Sequence, residues 1–219
     1  MAVSTAVAVV DGPVTVPRWP ADSVETRLRD GSTAVLRPLG PGETGPLQAV
    51  FDGLSAQSRT DRYLVGVPRL TGSMASALTA VDDHRHIAWL AKVDDRPAGI
   101  ARAVRVGPAT AELAFEVVDD CQGIGLGAAL VDALTTACSV SGTDRVRATV
   151  HPSNHRSLHV LALVGLRLSP LDGLLEGESR LRLMERPRID RTRVARMYRD
   201  RHGGADETSR WTTAWARAD

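Results

Sequence analysis

The chain has 219 residues, of which 43% are hydrophobic and 24% charged, and its formal net charge is +1. That apolar content supports one sizeable core and excludes global disorder. The near-neutral balance argues against a nucleic-acid partner, since dedicated binders carry a strong basic excess.

Residues 1–22 hold Pro13, Pro17 and Pro20 and show no sustained periodicity, so they read as an N-terminal extension. The apolar start lacks a positive n-region, which argues against a signal peptide. No stretch approaches the roughly 18–20 apolar residues that span a bilayer, so no membrane partner and a cytoplasmic location are expected. In "VETRLRDGSTAVLRPL" two short alternating runs flank Asp30-Gly31, a hairpin signal. "GPGETGPLQAVFDGLSAQSR" and "SMASALTAV" read as two helices, the first with Leu47, Val50, Phe51 and Leu54 on one face. "HIAWLAKV", "IARAVRV" and "AELAFEVV" read as three strands with short connections, an antiparallel meander. A helix from Leu126, a strand "RVRATVHP" and a second helix ended by Gly165 follow. "ESRLRLM" completes the set as a last strand. The tail from Glu185 is rich in arginine. Its segment "RTRVARMYRDRH" reads as a helix that packs Val194, Met197 and Tyr198 on the domain, with docking of a partner as the alternative. The resulting division is extension 1–22, domain 23–184 and Arg-rich extension 185–219.

The stretch "DDCQGIGLGAAL" places three glycines before the helix that starts near Leu126. A helix start leaves about four N–H groups unpaired and carries the positive end of the dipole, so an anion fits there if the backbone can approach it. Side chains at Gly123, Gly125 or Gly127 would block the approach. A pyrophosphate is the physical reading; a tight turn and nothing more is the alternative. A dinucleotide loop is a third possibility, but it needs a strand running straight into the first glycine and an acidic residue about 20 positions on. Here "DDCQ" intervenes and the next strand ends in His151-Pro152.

Gln122-Gly123-Ile124-Gly125-Leu126-Gly127 resembles the Q/R-x-x-G-x-G/A signature of the GNAT superfamily of acetyl-CoA-dependent N-acetyltransferases. The order strand, signature, helix, strand, helix agrees with it over roughly Val24 to Met184. Asn154, Ser157 and Gly165 match the family's second-helix segment, with Leu166 in place of the usual Phe. "AELAFEVVDDCQGIGLG" and "SAQSRTDRYLVGVPRL" look like the catalytic domain of bacterial protein lysine acetyltransferases.

The resemblance implies an α/β fold with a mixed, mostly antiparallel sheet flanked by helices, splayed at the cofactor slot by a bulge. It implies acetyl-CoA as acyl donor, no metal, and an amine acceptor, either a small molecule or a protein lysine. Val117 and Val118 are expected to bond the pantetheine through their backbone. The amides from Gln122 through Gly123, Ile124, Gly125, Leu126 and Gly127 to Ala128 are expected at the pyrophosphate, with Asn154 either touching the cofactor or serving only as helix N-cap. Glu112, ten positions before Gln122, stands where the family places its catalytic glutamate. It is read as the base that takes the ammonium proton, against the alternative of a solvated or salt-bridged strand residue. Glu116 shares its strand face and is weighed as a binder of the acceptor ammonium, while Asp119 and Asp120 shape the loop. The usual tyrosine acid is replaced by Leu161, leaving water, His159 or His151. Neither Cys121 nor Cys138 is placed as a nucleophile; they have no metal-ligand spacing and fit a reducing compartment. A sensor that binds acyl-CoA without turnover is the competing function. Acceptor identity and oligomeric state are left open by the sequence.

Overall fold

Residues 22–201 are described by a computed structural model. The first hairpin joins β1 (Val24–Arg27) to β2 (Thr33–Pro38). Asp30 turns it by accepting from the Ser32 amide at 3.0 Å, and Gly31 sits at φ +89°. Three short helices follow: α1 (Thr44–Asp52), α2 (Ala56–Tyr63) and α3 (Gly72–Leu78). The stretch read as one helix over residues 40–59 is therefore two. Gly53 ends α1 where any Cβ would stand 2.6 Å from Val118, and Ser55 opens α2 by accepting from the Ser58 amide at 3.2 Å.

The meander forms as expected: β3 (His86–Val93), β4 (Arg96–Arg105) and β5 (Thr110–Val117). A turn at Asp119–Cys121 and the glycine loop lead into α4 (Leu126–Val140), then β6 (Arg145–Val150) and α5 (His155–Leu163). The last strand spans Leu174–Arg180 (β8), earlier than "ESRLRLM" predicts. It pairs with a short strand the sequence reading missed, β7 (Ser169–Leu171). The turn between them uses positive φ at Asp172 and Gly173, a usual Asp-Gly hairpin choice. The eight strands run in the order β1-β2-β3-β4-β5-β6-β8-β7, antiparallel except for β5 and β6.

The sheet has two differently covered faces. On one, Trp89, Ala101 and Leu113 join the core with Leu126, Leu130 and Leu134 of α4. On the other, α1 and α2 lie over β4 and β5. A final helix, α6 (Arg191–Arg201), packs on α4 and buries Val194, Met197 and Tyr198, the stripe expected to face the domain. Asp132 of α4, fully buried, accepts from the Arg188 amide and from Arg191 Nε, both at 2.7 Å. Arg193 Nε donates to Ser23 O at 2.6 Å, which ties the same segment to the start of β1. Trp211, Trp215 and residues 1–21 lie outside the described residues.

Candidate active site

The register of the central strands creates the site. β5 stays paired with β4 from Ala111 to Val117 without interruption, but pairs with β6 only at Thr110, Ala111 and Glu112. Beyond Glu112 the two parallel strands part. The expected bulge is not in β5: the sheet's register shift falls between Ala91 and Lys92 in β3, and the wedge opens because β6 leaves β5 to follow β8.

Hydrogen-bond parity then decides which backbone groups face the wedge. The Val118 amide donates to Ala98 O at 2.9 Å, so even-numbered residues of β5 exchange bonds with β4. Phe115 and Val117 turn their amides toward the gap; the Leu113 amide is taken up by the last β5–β6 pairing at Glu112 and Arg147, and the Val117 carbonyl accepts from Gln122 Nε2 at 3.0 Å. Val117, expected at the pantetheine, lies on the gap side. Val118, expected beside it, has its backbone engaged: its amide is used on β4, its carbonyl accepts from Cys121 N at 3.0 Å, and its buried side chain abuts Gly53.

The wedge is the floor of a cavity of about 800 Å³. At its mouth lies the glycine loop. Gly123 and Gly125 take φ of +80° and +102°, a region in which an L side chain is strained, and Gly125 is the N-cap of α4. Gly127, in the first turn, fits against Phe115. No side chain caps α4, so its free amides from Gly123 to Ala128 face the cavity mouth with the positive dipole end behind them. The loop is held by the first hairpin, through the Arg29 amide to Ile124 O at 2.9 Å. Gln122 fixes it from below: Nε2 donates to Val117 O at 3.0 Å and Ser58 Oγ at 3.2 Å, and Oε1 accepts from Arg156 at 2.8 Å. Arg29 and Arg156, which the sequence reading passed over, thus put two cations beside the loop. Burial opposes ionisation of Asp119, but hydrogen bonds with Ser55 and Ser58 outweigh it and hold its carboxyl below the usual range, so this acid ties the loop to α2. Asn154 is the N-cap of α5, accepting from the Ser157 amide at 3.0 Å, and also lines the cavity.

The two glutamates of β5 differ. Glu112 stands where β5 and β6 part, with Oε2 accepting from Arg147 Nε at 3.0 Å and Nη2 at 2.7 Å; its Oε1 has no bond among the described residues. Glu116, whose side chain is 1% exposed, is enclosed. Its Oε1 accepts from Arg102 Nη2 at 2.8 Å, while Oε2 lies 3.2 Å from Tyr63 Oη and from Arg62 Nε. Both Glu116 oxygens are thus engaged, by cations and a hydroxyl. Burial, with the Glu116 charge adding to it, pushes the Tyr63 hydroxyl up to about 12; burial and then Arg102 push His86 down to about 4. Arg62, Arg102 and Tyr63 were not singled out in the sequence. The available signal was an arginine inside the otherwise apolar β4, which needs an anion on its own sheet face.

Leu161 is buried at the position read as the usual tyrosine, and His159 is exposed on the cavity wall. Burial raises the thiols of Cys121 and Cys138 to about 11 and about 12, so neither is a ready nucleophile. No metal-binding group occurs among the described residues, nor a helix long and apolar enough to cross a membrane.

Parted parallel strands, the in-facing amides of Phe115 and Val117 and a glycine-opened helix N-terminus line one cavity. The sequence model of the acetyltransferase (GNAT) family matches residues 55–165, half of the chain. The chain belongs to the GNAT acetyltransferase family. Among GNAT relatives, it is 29% identical over 151 residues to acetyltransferase Pat of Mycolicibacterium smegmatis, covering 65% of this chain and 44% of that protein. The chain thus spans under half the length of this curated relative. The GNAT domain of Streptomyces lividans PAT superposes with a TM-score of 0.69 at 25% identity, covering 75% of this chain and all of that one. The yncA protein of Salmonella typhimurium, whose structure includes its cofactor acetyl-CoA, gives 0.56 at 14% identity over 70% of this chain and 97% of that one.

Proposed function

We propose that this GNAT protein moves an acetyl group from acetyl-CoA to a primary amine, a small molecule or a protein lysine, by direct attack within a ternary complex. The observation that carries the reading is the combination at the wedge: the in-facing amides of Phe115 and Val117 lie between the glycine loop and Glu112 on one cavity. In this reading the amides from Gly123 to Ala128 hold the pyrophosphate, and Arg29 and Arg156 add positive charge beside it. The strand amides pair with the pantetheine and aim the thioester at the point where β5 and β6 separate.

The amine arrives as an ammonium and must lose a proton before attack. Glu112 Oε1, unbonded and on the cavity wall, accepts it directly or through one water, while Arg147 fixes the carboxylate through Oε2. The amine nitrogen bonds to the carbonyl carbon and gives its second proton to solvent, the carbon–sulfur bond breaks, and the thiolate takes a proton from solvent, since Leu161 offers none. Strand amides facing the wedge polarise the thioester carbonyl.

The test is a transfer assay with purified protein, acetyl-CoA and a panel of amines, following free thiol and acetylated product by mass spectrometry. Acetylated amine formed in step with thiol, and lost in Glu112→Gln, is expected. Binding of acetyl-CoA with no thiol released for any amine would instead favour an acyl-CoA sensor, which the buried Leu161 allows.

A further inference from the structure

The cluster around Glu116 is short of one anion. Arg62 and Arg102 contribute two positive charges and Glu116 one negative, while the shifts of Tyr63 and His86 leave both neutral near pH 7. The Arg102 side chain is 2% exposed, and its Nη1 is buried without a hydrogen-bond partner. Arg62 meets Glu116 through Nε and lies over the Tyr63 ring, 5.0 Å from its centroid; its terminal nitrogens make no hydrogen bond among the described residues, and the residue lines the cavity. A buried excess charge is costly unless an opposite charge joins it.

The neighbouring acids are committed elsewhere. Asp61 accepts from Gln57 Nε2 at 2.9 Å, Asp119 is held by Ser55 and Ser58, and Glu112 faces Arg147. Arg59, on the same helix, is packed over the Phe51 ring and bonded to Phe51 O and Pro68 O. The unfilled position at Arg62 opens on the same cavity as Glu112.

We infer that the acceptor carries a carboxylate as well as its amine, and that Arg62 is the residue that binds it. This rests on the transferase reading above. Spacing narrows the class further. Glu112 and Glu116 are four residues apart on one strand, roughly 13–14 Å between Cα atoms. With Arg62 at one end and Glu112 at the other, amine and carboxylate stand several bonds apart, as in an ε-amino acid or lysine, and not on one carbon. The carboxylate belongs either to the acceptor molecule itself or to an acidic residue beside a lysine in a peptide.

The experiment compares 6-aminohexanoate with 6-aminohexanamide, and a lysine peptide flanked by glutamate with one flanked by glutamine. Wild type is expected to favour at least one acid over its amide by about 10-fold or more in kcat/KM, the range of one charge-assisted contact. The preferred pair identifies the source of the carboxylate. Arg62→Gln should abolish the preference and Arg62→Lys retain part of it, with an unchanged acetyl-CoA melting shift showing that the variants fold. Equal rates for acid and amide in both pairs, or a preference that survives Arg62→Gln, overturns the inference while leaving the transferase reading intact. If no amine is acetylated, the transferase reading fails. The anion site then stands or falls on whether hexanoate, and not hexanamide, raises the melting temperature of the CoA-loaded protein in an Arg62-dependent way.

Discussion

Glu112 and Arg147 are the last facing residues before β5 and β6 part, and both Arg147 donors reach the same carboxylate oxygen, at 3.0 and 2.7 Å. The pairing leaves the other oxygen without a hydrogen bond among the described residues. Removing the carboxylate by Glu112→Gln should lower kcat by about 10²- to 10⁴-fold at neutral pH while leaving acetyl-CoA affinity unchanged. The deficit should shrink at high pH, where more acceptor arrives deprotonated. A pH–rate series on both proteins checks this, and an unchanged kcat would falsify the base assignment.

Glu116→Gln should behave differently. It removes the one negative charge between two arginines, and breaking a buried pair costs about 3–5 kcal/mol. The expected signature is a large drop in denaturant midpoint for Glu116→Gln beside a small one for Glu112→Gln, whose ion pair is half-exposed. Similar midpoints for the two variants would show that the Glu116 cluster is not under the electrostatic load described.

Gly125 adopts φ +102° at the N-cap of α4. A side chain there is strained by about 1–2 kcal/mol and stands in the approach of a phosphate. Gly125→Val is therefore expected to weaken coenzyme A binding, read by calorimetry, well beyond its effect on thermal stability. Unchanged affinity in a folded variant would remove the loop from the binding site.

His86 titrates in the folded protein near 4, against 6.5 for the free side chain, because burial and Arg102 disfavour its charged form. The unfolded chain binds this proton first, so the contribution of His86 is intact above about pH 6.5 and is lost as pH falls toward 4. Melting temperature should decline over that window, and His86→Gln should decline less. Parallel slopes for the two proteins would assign the acid sensitivity to other groups.

How much of this was legible beforehand depended on range in sequence. The alternation of β5 separated Glu112, Ala114 and Glu116 from Leu113, Phe115 and Val117, because strand period is local. The glycine loop was legible for the same reason: Gly123 and Gly125 are adjacent to the helix they open. Arg102 meeting Glu116 was not, since it depends on the β4–β5 register, which no local pattern fixes. The wedge was expected for a different cause. A bulge in β5 was anticipated, whereas the strands separate because β6 continues along β8. The break at Gly53 had a local signal, but the Leu47–Leu54 periodicity masked it.

Asp132 has a consequence measurable at once. Its carboxylate is fully buried in α4 and bonded by Arg188 and Arg191. Asp132→Ala and Arg191→Ala should each destabilise by about 3–5 kcal/mol, and the double variant by much less than their sum. Additive losses in chemical denaturation would mean that the two residues do not act as a pair.

The same contact bears on the order in which the chain acquires its structure during synthesis. α4 and the glycine loop emerge from the ribosome well before Arg191, and Ser23, among the first described residues, waits for Arg193. Until the C-terminal segment is translated, the helix that carries the proposed phosphate site holds a carboxylate bound for the interior with no cation to meet it. Its final seating against α6 is therefore a late event, and the nascent domain, though it already contains every residue proposed to touch acetyl-CoA, should become fully competent for it only when the last helix docks.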